Sequence, residues 1–360
     1  MKSKLAFMIL WCAFVGWPAW SIAQNGPADD GDPRSLLLAL DRQERYLQAH
    51  GGATLQVGAR RIPKTRIVAT IRELRRWTLS SFGTPEFEQA LASRFEFLTV
   101  SSGALFTAYH TPLLAAGSES NPDFPVPILG RPADLAEKGG KVYRRQGGQQ
   151  LPAPTRAQIM DGCYDVKKLA IAWTNDPVEL YYAQIQGGAL LTYPDGRRRT
   201  LLFAGTNGYG YVSIEPEITN QVAADKRPGG YFGIRDYLRR NPAAADRFFR
   251  LNPRYIFFKL SDEPPMGMAG MSLTAKRSIA TDKRFYHAGL LAYVTYPEPS
   301  RQPDGSIVTR TVRRIVCDAD SGAAIKGPDR VDVYFGEGSA TDLFASGLKA
   351  KGTLSYFWLR

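Results

Sequence analysis

Histidine is scarce: 360 residues hold only His50, His110 and His287, far apart in the chain. With three cysteines and no H-x-x-x-H or C-x-x-C spacing, there is no zinc ligand set, and no metal or other cofactor is expected. A G-x-S-x-G elbow, a Walker loop and a dinucleotide glycine loop are also missing, so serine-hydrolase, nucleotide and nicotinamide chemistry fall away. The glycines of "GTNGYGYVS" fit neither phosphate pattern. Basic residues are not massed on one helix, so no nucleic-acid partner is expected. What remains is carboxylate chemistry, which in exported proteins points to cleavage of glycosidic or peptide bonds.

The length allows two domains with real cores, and 44% hydrophobic content excludes wholesale disorder. The first residues, "MKSKLAFMILWCAFVGWPAWSIAQ", read as a secretory leader over 1–23, with Lys2 and Lys4, an apolar run and Ser21-Ile22-Ala23. Cys12 lies inside the apolar run behind Trp11, so it reads as leader core and not as a lipid anchor. Cleavage removes two lysines and no acid from a formal charge of +12, leaving a basic exported protein suited to anionic partners. An exported compartment permits a disulfide between Cys163 and Cys317, but the spacing does not demand one.

Helical signals gather early. Ser35 can cap a run with Leu37, Leu40 and Leu47 on one face; Ile67, Ile71, Leu74 and Trp77 repeat at helical spacing. Thr84-Pro85 opens a third helix with Phe87, Leu91 and Phe95 on one side. From about Leu98 short apolar runs are cut by Gly and Pro, with hairpin turns at Pro194-Asp195-Gly196 and Pro303-Asp304-Gly305. A helical pair interrupts, its second helix starting at Asn241-Pro242. Many short strands with few helices predict a mainly β fold with barrels and helical decoration.

Carboxylates concentrate in "CDADSGAAIKGPDRVDVYFGEG". In "RVDVYFG" alternation puts Val331, Val333 and Phe335 on one face and Asp332 and Tyr334 on the other; in "RIVCDADSG" it groups Asp318 with Asp320. A carboxylate between apolar strand positions has its neutral form favoured, so it can act as an acid near neutrality. On the residues alone, the favoured reading of Asp320 and Asp332 is structural, as acceptors of backbone N–H groups. Asp318 and Asp329 read as solvated strand-edge or turn residues.

The stretch "DADSGAAIKGPDRVDVYFGEGSATDLFASGLKAKGTLSYFWL" resembles the C-terminal three-aspartate domain of the membrane-bound lytic murein transglycosylase A family, and "SIATDKRFYHAGLLAYV" its opening strands. "FTAYHTP", "PTRAQI", "IAWTNDPVELYYAQIQGG", "FAGTNGYGYVSI" and "NPRYIFFKL" follow the family's order. The resemblance implies a double-psi β-barrel from residues 24–110 and 252–360, a β-rich, barrel-like substrate-binding insert over 111–251, and a glycan groove between them. It implies an exported, periplasmic enzyme, soluble or outer-membrane associated, acting as a monomer or in a peripheral cell-wall complex on peptidoglycan glycan strands. Such an enzyme cleaves the MurNAc–GlcNAc bond without water, leaving 1,6-anhydro ends. Asp332 matches the acid/base; Asp320 is its support or fallback, and Asp282 completes the three.

Thr107, Tyr109, Gln184, Gln186, Gly187, Asn207, Lys326 and Tyr334 are the implied substrate-binding residues, with the two glutamines on one face of a strand. The chain departs from the family at Gly188, Val212 and His110, where serine, arginine and tyrosine are common. Two rivals stand. Asp320-Ser321-Gly322 resembles the aspartic-protease signature, which would need a symmetric dimer to complete it; a non-catalytic peptidoglycan-binding module would keep the barrel alone.

Overall fold

Asp32, and not Ser35, opens the first helix, Pro33–Ala49: its carboxylate accepts the Ser35 N–H at 2.7 Å, and Pro33 fills a first-turn position that needs no donor. The earlier start makes Leu36, Leu40 and Leu47 the buried stripe and leaves Leu37 partly exposed. A computed structural model describes residues 26–50, 52–222, 230–267, 269–301, 306–322, 324–338 and 347–360. The leader with Cys12 and the Pro303-Asp304-Gly305 turn lie outside them. Helices Lys64–Ser81 and Pro85–Arg94 form as their periodicity predicts, the latter capped by Thr84; Phe95 instead begins a strand.

Six strands close into a barrel, in the order Ser278–Ala280, Ile307–Asp320, Leu291–Arg301, Ala350–Leu359, Phe95–Thr111 and Arg330–Glu337. The first two run parallel, as do the last two; the other neighbours are antiparallel. The core inside joins Phe106, Ile315, Val331, Val333 and Leu354 to Leu40, Ile67 and Ile71 from the helical layer. Each such side chain contributes about 1.5–3 kcal/mol by leaving water.

Residues 26–32 strap this barrel. Asp29 is fully buried against Arg277, whose guanidinium reaches its two oxygens at 2.6 and 2.9 Å and also donates to the carbonyls of Ile315 and Asp32. Asp30 accepts the Arg313 N–H and the Arg314 guanidinium at 2.9 Å each.

Phe95–Thr111 leaves the barrel and continues almost at once as Leu113–Gly117 in a second, six-stranded sheet. That sheet also holds Val126–Leu129, Ala170–Thr174, Ala189–Thr192, Arg198–Thr206 and Ile256–Ser261. A bridge between Gly130 and Phe258 brings its two edges together, so the insert is itself barrel-like. Ile256–Ser261 follows Asn252-Pro253, where the sequence reading resumes the first barrel; its backbone instead pairs with Arg198–Thr206, and barrel strands resume at Ser278. The hairpin turning at Pro194-Asp195-Gly196 is present, with Gly196 at φ +82°. Asn241-Pro242 does start a helix, Pro242–Leu251. Cys163 and Cys317 are free thiols, and burial pushes the latter up to about 12, which keeps it unreactive.

Candidate active site

In Arg330–Glu337 the strand pleat sends Val331 and Val333 into the core and Asp332 to the opposite face. Its parallel neighbour supplies the partner: Asp332 stands opposite Thr107, whose hydroxyl donates to Asp332 Oδ1. On the other side Asp332 pairs with Ala280, and Ala280 also pairs with Asp320. The two aspartates are therefore two inter-strand steps apart, roughly 9–10 Å between backbones.

Asp320 is anchored. Tyr109 donates its hydroxyl to Oδ2 at 2.7 Å, and the Ser321 N–H donates to Oδ1 at 2.7 Å. Burial and then the Asp320 charge hold the Tyr109 phenol well above its ordinary range, so it remains a donor. The Gly267 backbone lies flat against this carboxylate: a Cβ there would stand 2.6 Å from the Ala319 carbonyl oxygen and 2.8 Å from Asp320 Cγ. Tyr109 and Tyr334 rings pack at 5.3 Å, and the Tyr334 hydroxyl bonds Thr111 at 2.8 Å.

Asp332 keeps a partly exposed side chain while protein surrounds it on most sides. That burial pushes its carboxyl up to about 6; the Thr107 hydroxyl and the Arg330 charge pull the other way, and Asp320 adds to the rise. The result is a carboxyl able to give and retake a proton near neutrality. A cavity of about 240 Å³ opens on the Asp320 side of the pair, between barrel and second sheet, lined among others by Tyr109, Gln186, Gly187, Lys259, Gly267 and Asp320; Asp332 is not among its lining residues.

Other sequence-predicted residues fall elsewhere. Asp282 binds Arg284 and accepts the Gly327 N–H at 2.8 Å, and the guanidinium holds its carboxyl well below the usual range. It thus ties its turn to the loop that leads into the Asp332 strand. Asp318 is not solvated: it is fully buried and bonded to Lys283, Thr281 and Tyr356, which the fold brings over it. Asp329 is exposed.

"PVELYYAQIQ" is a helix, not a strand. Asp176 caps it, Pro177 opens it, and Gly187 ends it in the left-handed region at φ +86°; these signals outweigh the local alternation. Gln184 is consequently buried, accepting from Arg156 at 2.6 Å and donating to the Ile256 carbonyl, while Gln186 and Gly187 reach the cavity. Gly188 follows so close to the next strand that a Cβ would stand 2.9 Å from the Leu201 carbonyl oxygen. Asn207 is also buried, its amide bonded to the Pro154 and Pro253 carbonyls and the Tyr255 N–H. Lys326 is exposed. Sequence reasoning missed Gly267, Arg330 and Lys259; only Lys259 had a signal, as the single charge after an apolar strand run in "YIFFKL". Among the described residues no three His, Cys, Asp or Glu gather as metal ligands.

Comparison with known proteins places two family models on the chain: the MltA specific insert domain over 105–259 and the 3D domain over 277–358. Membrane-bound lytic murein transglycosylase A of Vibrio cholerae is 26% identical over 69% of this chain, and that of Escherichia coli K12 is 28% identical over 65%. These alignments span 63% and 60% of the two relatives' own lengths. Among solved structures, a membrane-bound lytic murein transglycosylase from Agrobacterium tumefaciens superposes with a TM-score of 0.72 at 23% identity, covering 91% of this chain and 93% of its own. Escherichia coli MltA with bound chitohexaose gives 0.69 at 19% identity, covering 94% and 92%.

Proposed function

Since the chain belongs to the membrane-bound lytic murein transglycosylase A family, we propose that it cleaves the β-1,4 bond between MurNAc and GlcNAc of peptidoglycan by transglycosylation. The observation that carries the reading is Asp332: a carboxyl raised to about 6, bonded to Thr107 and two inter-strand steps from Asp320, which itself lines a cavity between two β units. Asp332 gives its proton to the glycosidic oxygen as the C1–O bond breaks. The C6 hydroxyl of the muramyl sugar then attacks C1, its proton passes to the Asp332 carboxylate, and the 1,6-anhydro ring closes. No water is consumed and the acid is regenerated, so one carboxyl serves both steps.

Asp320, fixed by Tyr109, supplies negative charge near the developing oxocarbenium ion and favours the protonated form of Asp332. Asp282 acts as a structural tie. We place the protein in the cell envelope, exported to the periplasm and working as a single chain whose barrel and insert flank the glycan; no helix among the described residues is long and apolar enough to cross a membrane. The test is product analysis. Sacculi incubated with the protein should release muropeptides with anhydro ends, identified by mass. Ordinary reducing ends would indicate hydrolysis, peptide fragments alone the protease reading, and no release a binding module.

The pH dependence has a definite sign. The first step needs protonated Asp332, so the rate is full below about 6 and falls as pH rises through it, roughly tenfold per further unit. Asp320→Asn removes the neighbouring charge and should move that limb to lower pH. An unmoved limb in an Asp320→Asn rate profile would show that Asp320 does not tune the acid. Gly267→Ala should cost activity through the same carboxylate, by forcing it from Tyr109, and initial rates on sacculi would fall by about tenfold.

A further inference from the structure

Lys259 projects from Ile256–Ser261, where Ile256, Phe257 and Phe258 are buried and Lys259 alone of the four is exposed. It lines the same cavity as Asp320. On the adjoining strand the cations are matched: Arg198 pairs with Glu337 at 3.0 Å and Arg199 with Asp262 at 2.8 Å. Among the described residues the Lys259 ammonium has neither an ion pair nor a hydrogen bond. The carboxylate across the cavity is already held by Tyr109 and the Ser321 N–H. An unmatched cation on the apolar wall formed by Leu201, Leu202 and Phe203 attracts an anion from outside the protein.

We infer that Lys259 selects the carboxylate-bearing substrate, pairing with a carboxylate that the muramyl sugar carries and a chitin-type sugar lacks. The inference rests on the function proposed above. On murein that carboxylate is either the lactyl group itself, free when no peptide is attached, or an acid within the stem peptide. Both present the same chemistry to the ammonium. Neither requires Lys259 to take part in bond cleavage.

Three probes separate the possibilities: chitohexaose, which is neutral; glycan strands stripped of peptide by an amidase; and peptide-bearing strands. Equilibrium binding is measured with Asp332→Asn protein, with and without Lys259→Met. The Lys259 change should raise Kd about three- to fivefold for carboxylated strands and leave chitohexaose binding unaltered. Loss on stripped strands assigns the lactyl group, and loss confined to peptide-bearing strands assigns the stem. Lys259→Arg should restore the affinity, which also shows that the site remains folded. Equal weakening for chitohexaose, or none for any probe, overturns the inference. Failure of the proposed function would appear separately, as wild-type protein that releases no anhydro ends.

Discussion

Asp332→Asn is expected to lower the proposed release of anhydro-muropeptides from sacculi by roughly a thousandfold, within the range that a positioned general acid provides. The amide has no proton to give the glycosidic oxygen. Its carbonyl still accepts the Thr107 hydroxyl, so the strand geometry is retained. Because burial already makes the charged carboxylate less favourable here than in water, an uncharged amide of the same shape imitates the protonated acid and should not loosen the barrel. Initial rates by chromatography, beside a thermal melt, check both halves. A residual rate within tenfold of wild type would transfer the acid role to Asp320.

Removing Arg277 should be the most damaging change away from the cavity. Its guanidinium is 1% exposed and Asp29 is fully covered, so Arg277→Met leaves a buried carboxylate without its counter-charge. Breaking such a pair from one side costs about 3–5 kcal/mol. In a chain of this size that lowers the thermal midpoint by roughly 5–10 °C. The double variant Asp29→Ala with Arg277→Met should regain part of the loss, since no charge is then stranded. Calorimetry on the single and double variants decides it: additive losses would mean that the pair has no coupling of its own.

What the chain disclosed in advance followed from short-range rules. The face of Val331, Val333 and Phe335 opposite Asp332 needed only period two, and Thr84-Pro85 needed only cap chemistry. Errors arose where two local signals competed. "YYAQIQ" alternates like a strand, yet Asp176-Pro177 at one end and Gly187 at the other make it a helix, and Gln184 turns inward with it. Asp32-Pro33 likewise outcompetes Ser35. The partners of the carboxylates were beyond such reading. Thr107 and Asp332 are 225 residues apart in sequence, Tyr109 and Asp320 are 211, and no local pattern states which strand will lie beside which. Asp318 looked solvated for the same reason: the lysine and threonine that cover it lie in the turn after Ser278–Ala280, and the tyrosine comes from Ala350–Leu359.

The wall of the barrel has a consequence for the protein's birth. Phe95–Thr111 emerges early in synthesis, but its flanking strands, Arg330–Glu337 and Ala350–Leu359, come last, with contacts such as Glu96 to Trp358 spanning 262 residues. Until they arrive Asp332 has no Thr107 beside it and Asp320 no Tyr109. Closing so large a loop is slow, and it cannot begin on a partly made chain. The insert, apart from Phe95–Thr111, is made from a continuous middle stretch and can organise first. The proposed acid is therefore without its site until a strand made 225 residues earlier is paired.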